Sequence, residues 1–304
     1  MAGSSAHGIV VGIDRSVHAD EVLDWAGAEA ALRGVPLQIG HSWSQPPHGP
    51  AEEREDIDTG AAEAAAEMLR KAQERVRKQY GNLQVDVALM PEGPVAGLIR
   101  LGARADLLVV GSRGLSRFAS ALVGSVAQSL VAHAPCPVVV MRGISERTGT
   151  TGGLESWAPT GTTGCAPVVL GAAPGELYAP VEFAFAEAAR REVPLLAVRA
   201  WRYSPRYGGY GPVHKADMGL RNREEGDELS DVLAEAHESF PGVQVIREVG
   251  MNEPAWALID ASSRACLMVV GTERRRHNLA LPIGRVAGQV LHNARCPVAV
   301  VPHR

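Results

Sequence analysis

Residues 107–126 read LLVVGSRGLSRFASALVGSV. The apolar run 107–110 ends on Gly111, and Gly114 stands three positions on. Nine residues separate Gly114 from Gly124-Ser125, where a helix-like pattern starts. A short apolar run bounded by glycine predicts a strand buried on both faces of a parallel sheet. Glycine after such a strand lets the backbone turn sharply and approach a ligand closely. A helix opening at Gly124-Ser125 offers unpaired N–H groups and the positive end of its dipole, a setting suited to phosphate. Arg113 and Arg117 add positive charge between the two glycine points.

Two common phosphate loops are excluded. The G-x-x-x-x-G-K-[ST] order is absent, with no lysine in the phosphate position. Gly111 and Gly114 do not form the G-x-G-x-x-G of dinucleotide folds either. The signal lies in the whole arrangement of strand, G-x-x-G, nine residues, G-S and helix.

Upstream of this stretch the chain alternates strands and helices. The run 9–14 is apolar on both faces up to Asp14 and predicts a first strand. A helix is expected over 18–33, with Val22, Trp25, Ala26, Glu29, Ala30 and Arg33 on one stripe and Gly34 as its stop. Residues 36–43 predict a second strand, and the proline- and glycine-rich 44–50 a loop. Residues 52–80 predict a long amphipathic helix, acidic at its start and basic at its end as the helix dipole favours. Alternation of Val85, Val87 and Leu89 predicts a third strand, 94–103 a short helix, 125–133 another, and 137–141 a fifth strand.

The order then repeats. Val193-Pro194-Leu195 mirrors Val35-Pro36-Leu37, and 265–271 (ACLMVVG) mirrors 105–111 (ADLLVVG). Cys296-Pro297-Val298 mirrors Cys136-Pro137-Val138. A repeat this long is two copies of a domain, not a solenoid unit. The expected division is a first domain over 1–142, a linker over 143–165 rich in glycine, threonine and serine, and a second domain over 166–304. Each half reads as βαβ crossovers, hence an α/β domain with a mostly parallel sheet and helices on both faces. Ligands in such sheets lie outside the carboxyl ends of the strands.

Composition narrows the function. A chain of 304 residues, 46% hydrophobic and 21% charged, is long enough for two ordinary globular cores. A net charge of −4 gives no general reason to bind nucleic acid or anionic membrane. No apolar run is long enough for a membrane span, and residues 1–7 lack the basic-then-apolar pattern of a signal peptide, so the cytoplasm is the expectation. The four cysteines show no C-x-x-C spacing and are expected to be reduced, mostly buried thiols. Redox sensing by Cys136 or Cys296 would require a lowered thiol pKa. No hydrolase elbow or H-E-x-x-H is present.

Gly111-x-x-Gly114, nine residues, Gly124-Ser125 resembles the ATP-binding signature of the universal stress protein family. The opening Val10-Val11-Gly12-Ile13-Asp14-Arg15-Ser16 resembles that family's first strand and aspartate, and Cys136-Pro137-Val138-Val139-Val140 its last strand. The resemblance covers nearly the whole chain, because the pattern occurs twice. It implies two tandem Rossmann-like (HUP-type) domains, each a five-stranded sheet in the order 3-2-1-4-5. It also implies ATP beside Gly12, Asp14 and Ser42 at the strand ends, with Gly111, Ser112, Arg113, Gly114, Leu115, Ser116 and Arg117 in the loop and Gly124, Ser125 and Val126 at the helix start.

Each of these residues has a plainer role too. Asp14 beside a polyphosphate calls for Mg²⁺ or Mn²⁺ carried with the ATP, or for a sugar contact; alternatively it begins a turn or caps a helix. The glycines either turn N–H groups toward phosphate or make an ordinary strand-to-helix turn. Ser125 either bonds a phosphate or caps the next helix, and Arg113 and Arg117 either neutralise phosphate or are solvated. The second half departs from the pattern. Arg274 replaces the second glycine, Arg285 replaces the serine, and Ala172-Ala173-Pro174 leaves no match for Asp14. Arginine resists a backbone that needs glycine, so the second half is expected not to bind ATP in this manner. Arg274, Arg275, Arg276 and Arg285 then make either a different anion site or a solvated basic loop.

The expected function is ATP binding in the first half, with the nucleotide as a regulatory ligand in a stress response. The rivals are a weak ATPase or self-phosphorylating enzyme, and an interaction protein that needs no nucleotide. No residue is clearly placed to activate water on ATP, so hydrolysis is expected to be slow at most. A homodimer is expected, because family members commonly dimerise and the apolar last strands would be exposed edges unless covered.

Overall fold

The computed structural model describes residues 7–43, 51–112, 123–142, 166–175, 178–202, 215–273 and 283–303, with backbone alone over 51–59 and 215–217. The chain divides into two compact units, Met1–Thr148 and Gly149–Arg304. The expected linker, 143–165, lies outside the described residues.

In the first unit, β1 (Ile9–Gly12), α1 (Ala19–Arg33), β2 (Leu37–Ser42), α2 (Ala51–Gln79), β3 (Val85–Met90), α3 (Pro94–Gly102), β4 (Leu107–Gly111), α4 (Ser125–His133) and β5 (Val138–Met141) follow one another. The strands are all parallel, in the order β3-β2-β1-β4-β5. Helix α1 packs with α2, α3 packs with α4, and β1 receives both α1 and α3, so helices cover both faces. This explains why the central strands read as unbroken apolar runs. Ile9, Val10 and Val11 in β1 and Leu107, Leu108 and Val109 in β4 are all buried.

The second unit repeats the plan with β6 (Val168–Gly171), α5 (Tyr178–Arg191), β7 (Leu195–Trp201), α6 (Lys215–Ser239), β8 (Val245–Met251), α7 (Pro254–Ala261), β9 (Leu267–Glu273), α8 (Arg285–Asn293) and β10 (Val298–His303). Its strands are parallel in the order β8-β7-β6-β9-β10. Each unit therefore has the Rossmann-like order 3-2-1-4-5, as the family resemblance implied. The order reverses between the first and fourth strands, and in open α/β sheets ligands lie beyond the carboxyl ends at such a reversal.

Three local features differ from the sequence expectations. The stripe of α1 proves to be only part of its buried surface, since Leu23 and Gly27 are buried as well. A Cβ on Gly27 would stand 3.0 Å from the Tyr80 ring, so glycine lets α1 close on the end of α2. Second, Glu29 is wholly buried, its Oε1 accepting from Arg33 Nε at 2.6 Å; a charge is tolerated there because it is paired along the same helix. Third, β3 lies at the outer end of this order, and Val87 is 42% exposed despite the apolar alternation.

Candidate functional site

The carboxyl ends of β1, β2 and β4 meet at one edge of the first unit. The β1 chain leaves the sheet at Gly12, and Ile13 still donates its N–H to the Gly40 carbonyl at 3.0 Å. Gly12 carries a packing load. A Cβ there would lie 2.7 Å from Leu98 Cδ1 of α3 and 3.2 Å from Val110 Cγ1. The second unit has the same contact, with Leu258 Cδ1 2.9 Å from a Cβ on Gly171. The bare backbone at this strand end thus serves helix packing in both halves.

Asp14 follows, partly exposed, and its Oδ1 accepts the Ser16 N–H at 2.9 Å. This is the turn-forming role weighed from sequence. It occupies one carboxylate oxygen and leaves Oδ2 for another donor or a cation. Among the described residues no group of three or more His, Cys, Asp or Glu side chains is placed to hold a metal. Asp14 alone fits a cation that takes its remaining ligands from phosphate and water.

Ser42 ends β2. Its hydroxyl donates to the Glu92 carbonyl at 2.7 Å, so its side chain braces the β3–α3 turn and has no hydrogen left to donate to a ligand. The neighbouring His41 is the residue that sequence reading passed over. It is 8% exposed, and its Nδ1 lies 2.8 Å from the Ile13 carbonyl oxygen. A carbonyl only accepts, so Nδ1 carries the hydrogen. A histidine next to Ser42 at the carboxyl end of β2, LQIGHS, was the available signal.

At β4 the chain passes Gly111 to Ser112, which is 6% exposed. Ser112 donates its N–H to the Met141 carbonyl at 2.6 Å and accepts the Gly124 N–H on its own carbonyl at 2.6 Å. This clasp closes the neck of the loop and sets Gly124 directly beside the end of β4. Gly124 is extended (φ −60, ψ 151) and caps α4 without any side-chain hydrogen bond. Ser125 is therefore the first helical residue and not the cap. Ser125 is exposed and Val126 half-buried, and among the described residues no side chain caps the N–H groups of this turn. Arg113, Gly114, Leu115, Ser116 and Arg117 lie outside the described residues.

The matching edge of the second unit is built differently. Strands β9 and β10 pair through Pro302↔Thr272 and His303↔Glu273, whereas the last described pair of β4 and β5 is Gly111↔Met141. The His303 ring lies against Gly271, with Cδ2 3.0 Å from where a Cβ would stand. Arg285, in the position of Ser125, donates to Glu253 Oε1 at 3.0 Å, and Arg202 donates to Glu253 Oε2 at 2.9 Å. Of the four arginines weighed as an anion site, Arg285 is thus held by a carboxylate, and Arg274, Arg275 and Arg276 lie outside the described residues.

Two tandem α/β units of Rossmann-like order, one bringing Gly111, Ser112 and Gly124 together at the strand-order reversal, define the class of this protein. The sequence model of the universal stress protein family matches the chain twice, over residues 6–142 and 168–302. A universal stress protein of Mycobacterium tuberculosis is 32% identical over 304 residues, covering 97% of this chain and 96% of its own. The crystal structure of a universal stress protein from Archaeoglobus fulgidus superposes with a TM-score of 0.66 at 17% identity, covering 98% of this chain and 99% of that one, a likeness of fold. A shorter universal stress protein from Archaeoglobus fulgidus, solved in complex with dAMP, is 28% identical over 44% of this chain and 95% of its own, with a TM-score of 0.33. The chain belongs to the universal stress protein family. Among the described residues no helix is long and apolar enough to cross a membrane.

Proposed function

We propose that the first half binds ATP at the edge formed by Gly12, Asp14, Gly111, Ser112, Gly124, Ser125 and Val126, and that ATP acts as a regulatory ligand in a cytoplasmic stress response. The observation that carries this reading is the clasp of Ser112 with Gly124. It holds the N-terminus of α4, which no described side chain caps, at the end of β4, beside the strand-order reversal, where an anion is favoured by both N–H groups and dipole. The loop Arg113, Gly114, Leu115, Ser116 and Arg117 belongs to the reading on its sequence alone, and Ser42 through its backbone. A Mg²⁺ or Mn²⁺ ion would enter with the ATP and take one oxygen of Asp14. The second half, with Arg285 tied to Glu253 and Ala173 in place of Asp14, serves as a non-binding partner domain.

The test is calorimetry of the full-length protein with ATP and Mg²⁺, beside the Gly114→Arg variant. The variant copies into the first half the residue that the second half carries. One site per chain, lost in the variant, is the expected result. Two sites, or none, would overturn the assignment. The reading also includes a homodimer, on the family resemblance; a monomer mass by light scattering at micromolar concentration would remove that part.

A further inference from the structure

Two corresponding side chains occupy the notch beyond the first two strands of each half. Strands β2 and β3 pair from Leu37↔Val85, and His41 faces Leu89 in that register. Strands β7 and β8 pair from Leu195↔Val245, and Arg199 faces Val249. His41 and Arg199 are thus the same position in two copies. Helices α2 and α6 align as well, because Tyr80 and Phe240 make the same closing bonds, Leu83 N–H to Tyr80 O and Val243 N–H to Phe240 O. Counting back, Ala65 corresponds to Glu225 and Met68 to Glu228.

The three differences act together. Arg199 is 2% exposed. Its Nε donates to Glu225 Oε2 at 2.7 Å, its Nη2 to Glu228, and its Nη1 to the Ala173 carbonyl at 3.1 Å. Glu225 is 4% exposed, and its second oxygen accepts from Arg221 at 2.6 Å. Ala173 stands where Asp14 stands in the first half, because Ile13 and Ala172 make the same strand bonds, to Gly40 O and Val198 O. The guanidinium therefore reaches the backbone from which Asp14 would rise. In the first half the shorter His41 stops at Ile13 O, and Ala65 and Met68 supply no carboxylate to hold a longer cation.

On the ATP reading above, the non-phosphate end of the nucleotide runs toward this end of β2, and the step rests on that reading. Phosphate at the α4 N-terminus sits beside β4. On the β5 side the Met141 carbonyl is taken by Ser112 N–H. The course inferred here crosses β1 toward β2, past Asp14 to His41. We propose that Arg199, locked by Glu225 and Glu228, occupies in the second half the space that a nucleoside takes in the first. The trio His41, Ala65 and Met68 against Arg199, Glu225 and Glu228 then decides which half is open. Displacing the arginine would leave the buried Glu225 with Arg221 alone and return Glu228 to solvent, and the loss at the buried carboxylate is what holds the closure.

Two variants of the full-length protein test this, read by ATP calorimetry, thermal melting and photolabelling with 8-azidoadenosine followed by peptide mapping. The probe lacks phosphate, so it reports on the notch without the glycine loop. In His41→Arg/Ala65→Glu/Met68→Glu, ATP affinity is expected to fall at least 100-fold with a cooperative melt retained. In Arg199→His/Glu225→Ala/Glu228→Met, label is expected on second-half peptides that stay unlabelled in the wild type. If the first variant does not fold, the second decides. Unchanged ATP affinity in a folded first variant, or no new label in the second variant while the wild-type first half is labelled, overturns the proposal. A wild type that takes neither ATP nor label in its first half overturns the ATP reading itself, and this inference with it.

Discussion

Glu192 occupies in the second half the left-handed position that Gly34 occupies in the first. Each residue follows the last turn of the opening helix, and their φ values are 54° and 64°. Only Gly34 reaches this backbone without a Cβ penalty, which for an L-residue is roughly 1–2 kcal/mol. Glu192→Gly is therefore expected to stabilise the protein by about 1 kcal/mol, and Gly34→Ala to destabilise it by a similar amount. Urea unfolding of both variants against wild type measures the pair of opposite signs.

A buried ion pair precedes that cap in each half. Glu29 pairs with Arg33, and Glu187 with Arg191, with both glutamates wholly buried. Removing one partner strands a buried charge and costs on the order of 3–5 kcal/mol, whereas removing both costs much less. Arg33→Ala is expected to destabilise by about 3 kcal/mol. Glu29→Leu/Arg33→Met is expected to recover most of that loss. A double variant no more stable than Arg33→Ala would show that the pair is not the source.

Glu67 and Arg70 offer a pH-dependent readout on the exposed face of α2. Hydrogen bonding from Arg70, with smaller help from Lys71, lowers the Glu67 carboxyl from 4.5 to about 2. A depressed folded-state pKa means the interaction is fully present above about pH 4.5 and is lost as pH falls toward 2. In a side-chain NMR titration the Glu67 midpoint is expected well below the ordinary carboxylate range, and Arg70→Ala is expected to move it back up toward 4.5.

Gly12→Ala isolates the packing role of that glycine. The added methyl must push against Leu98 from 2.7 Å, and overpacking of this kind costs about 1–3 kcal/mol. The loss is expected in nucleotide-free protein, and Leu98→Ala in the same chain is expected to relieve part of it relative to the sum of the two single changes. A fully stable Gly12→Ala would return the glycine to a role at the ligand alone.

Much of the fold was legible because helices on both faces of a parallel sheet force its strands to be continuously apolar. The runs at Ile9–Gly12, Leu107–Gly111 and Leu267–Glu273 announce themselves for that reason. The strand order came from the family resemblance, since periodicity says nothing about neighbours. The candidate site was half legible. Glycine positions are visible in sequence, but the clasp of Ser112 with Gly124 is made by backbone groups that every residue carries. Arg199 was harder still. It stands in an apolar strand, LLAVRAW, and its partners Glu225 and Glu228 lie 26 and 29 residues later on a helix that is charged on most of its length. Only the packing of that helix shows which carboxylates turn inward.

The contact of Leu98 with Gly12, and of Leu258 with Gly171, bears on how the two copies drifted apart after duplication. A residue required by its own helix is retained whether or not a ligand follows, while residues whose duty was to a ligand are released to change. Gly12 and Gly171 are the retained kind; on the proposed reading, Asp14 and Ala173, and His41 and Arg199, are the released kind. A count of shared glycines would therefore credit both halves with the same use, whereas the divergent positions carry the distinction that the proposal draws.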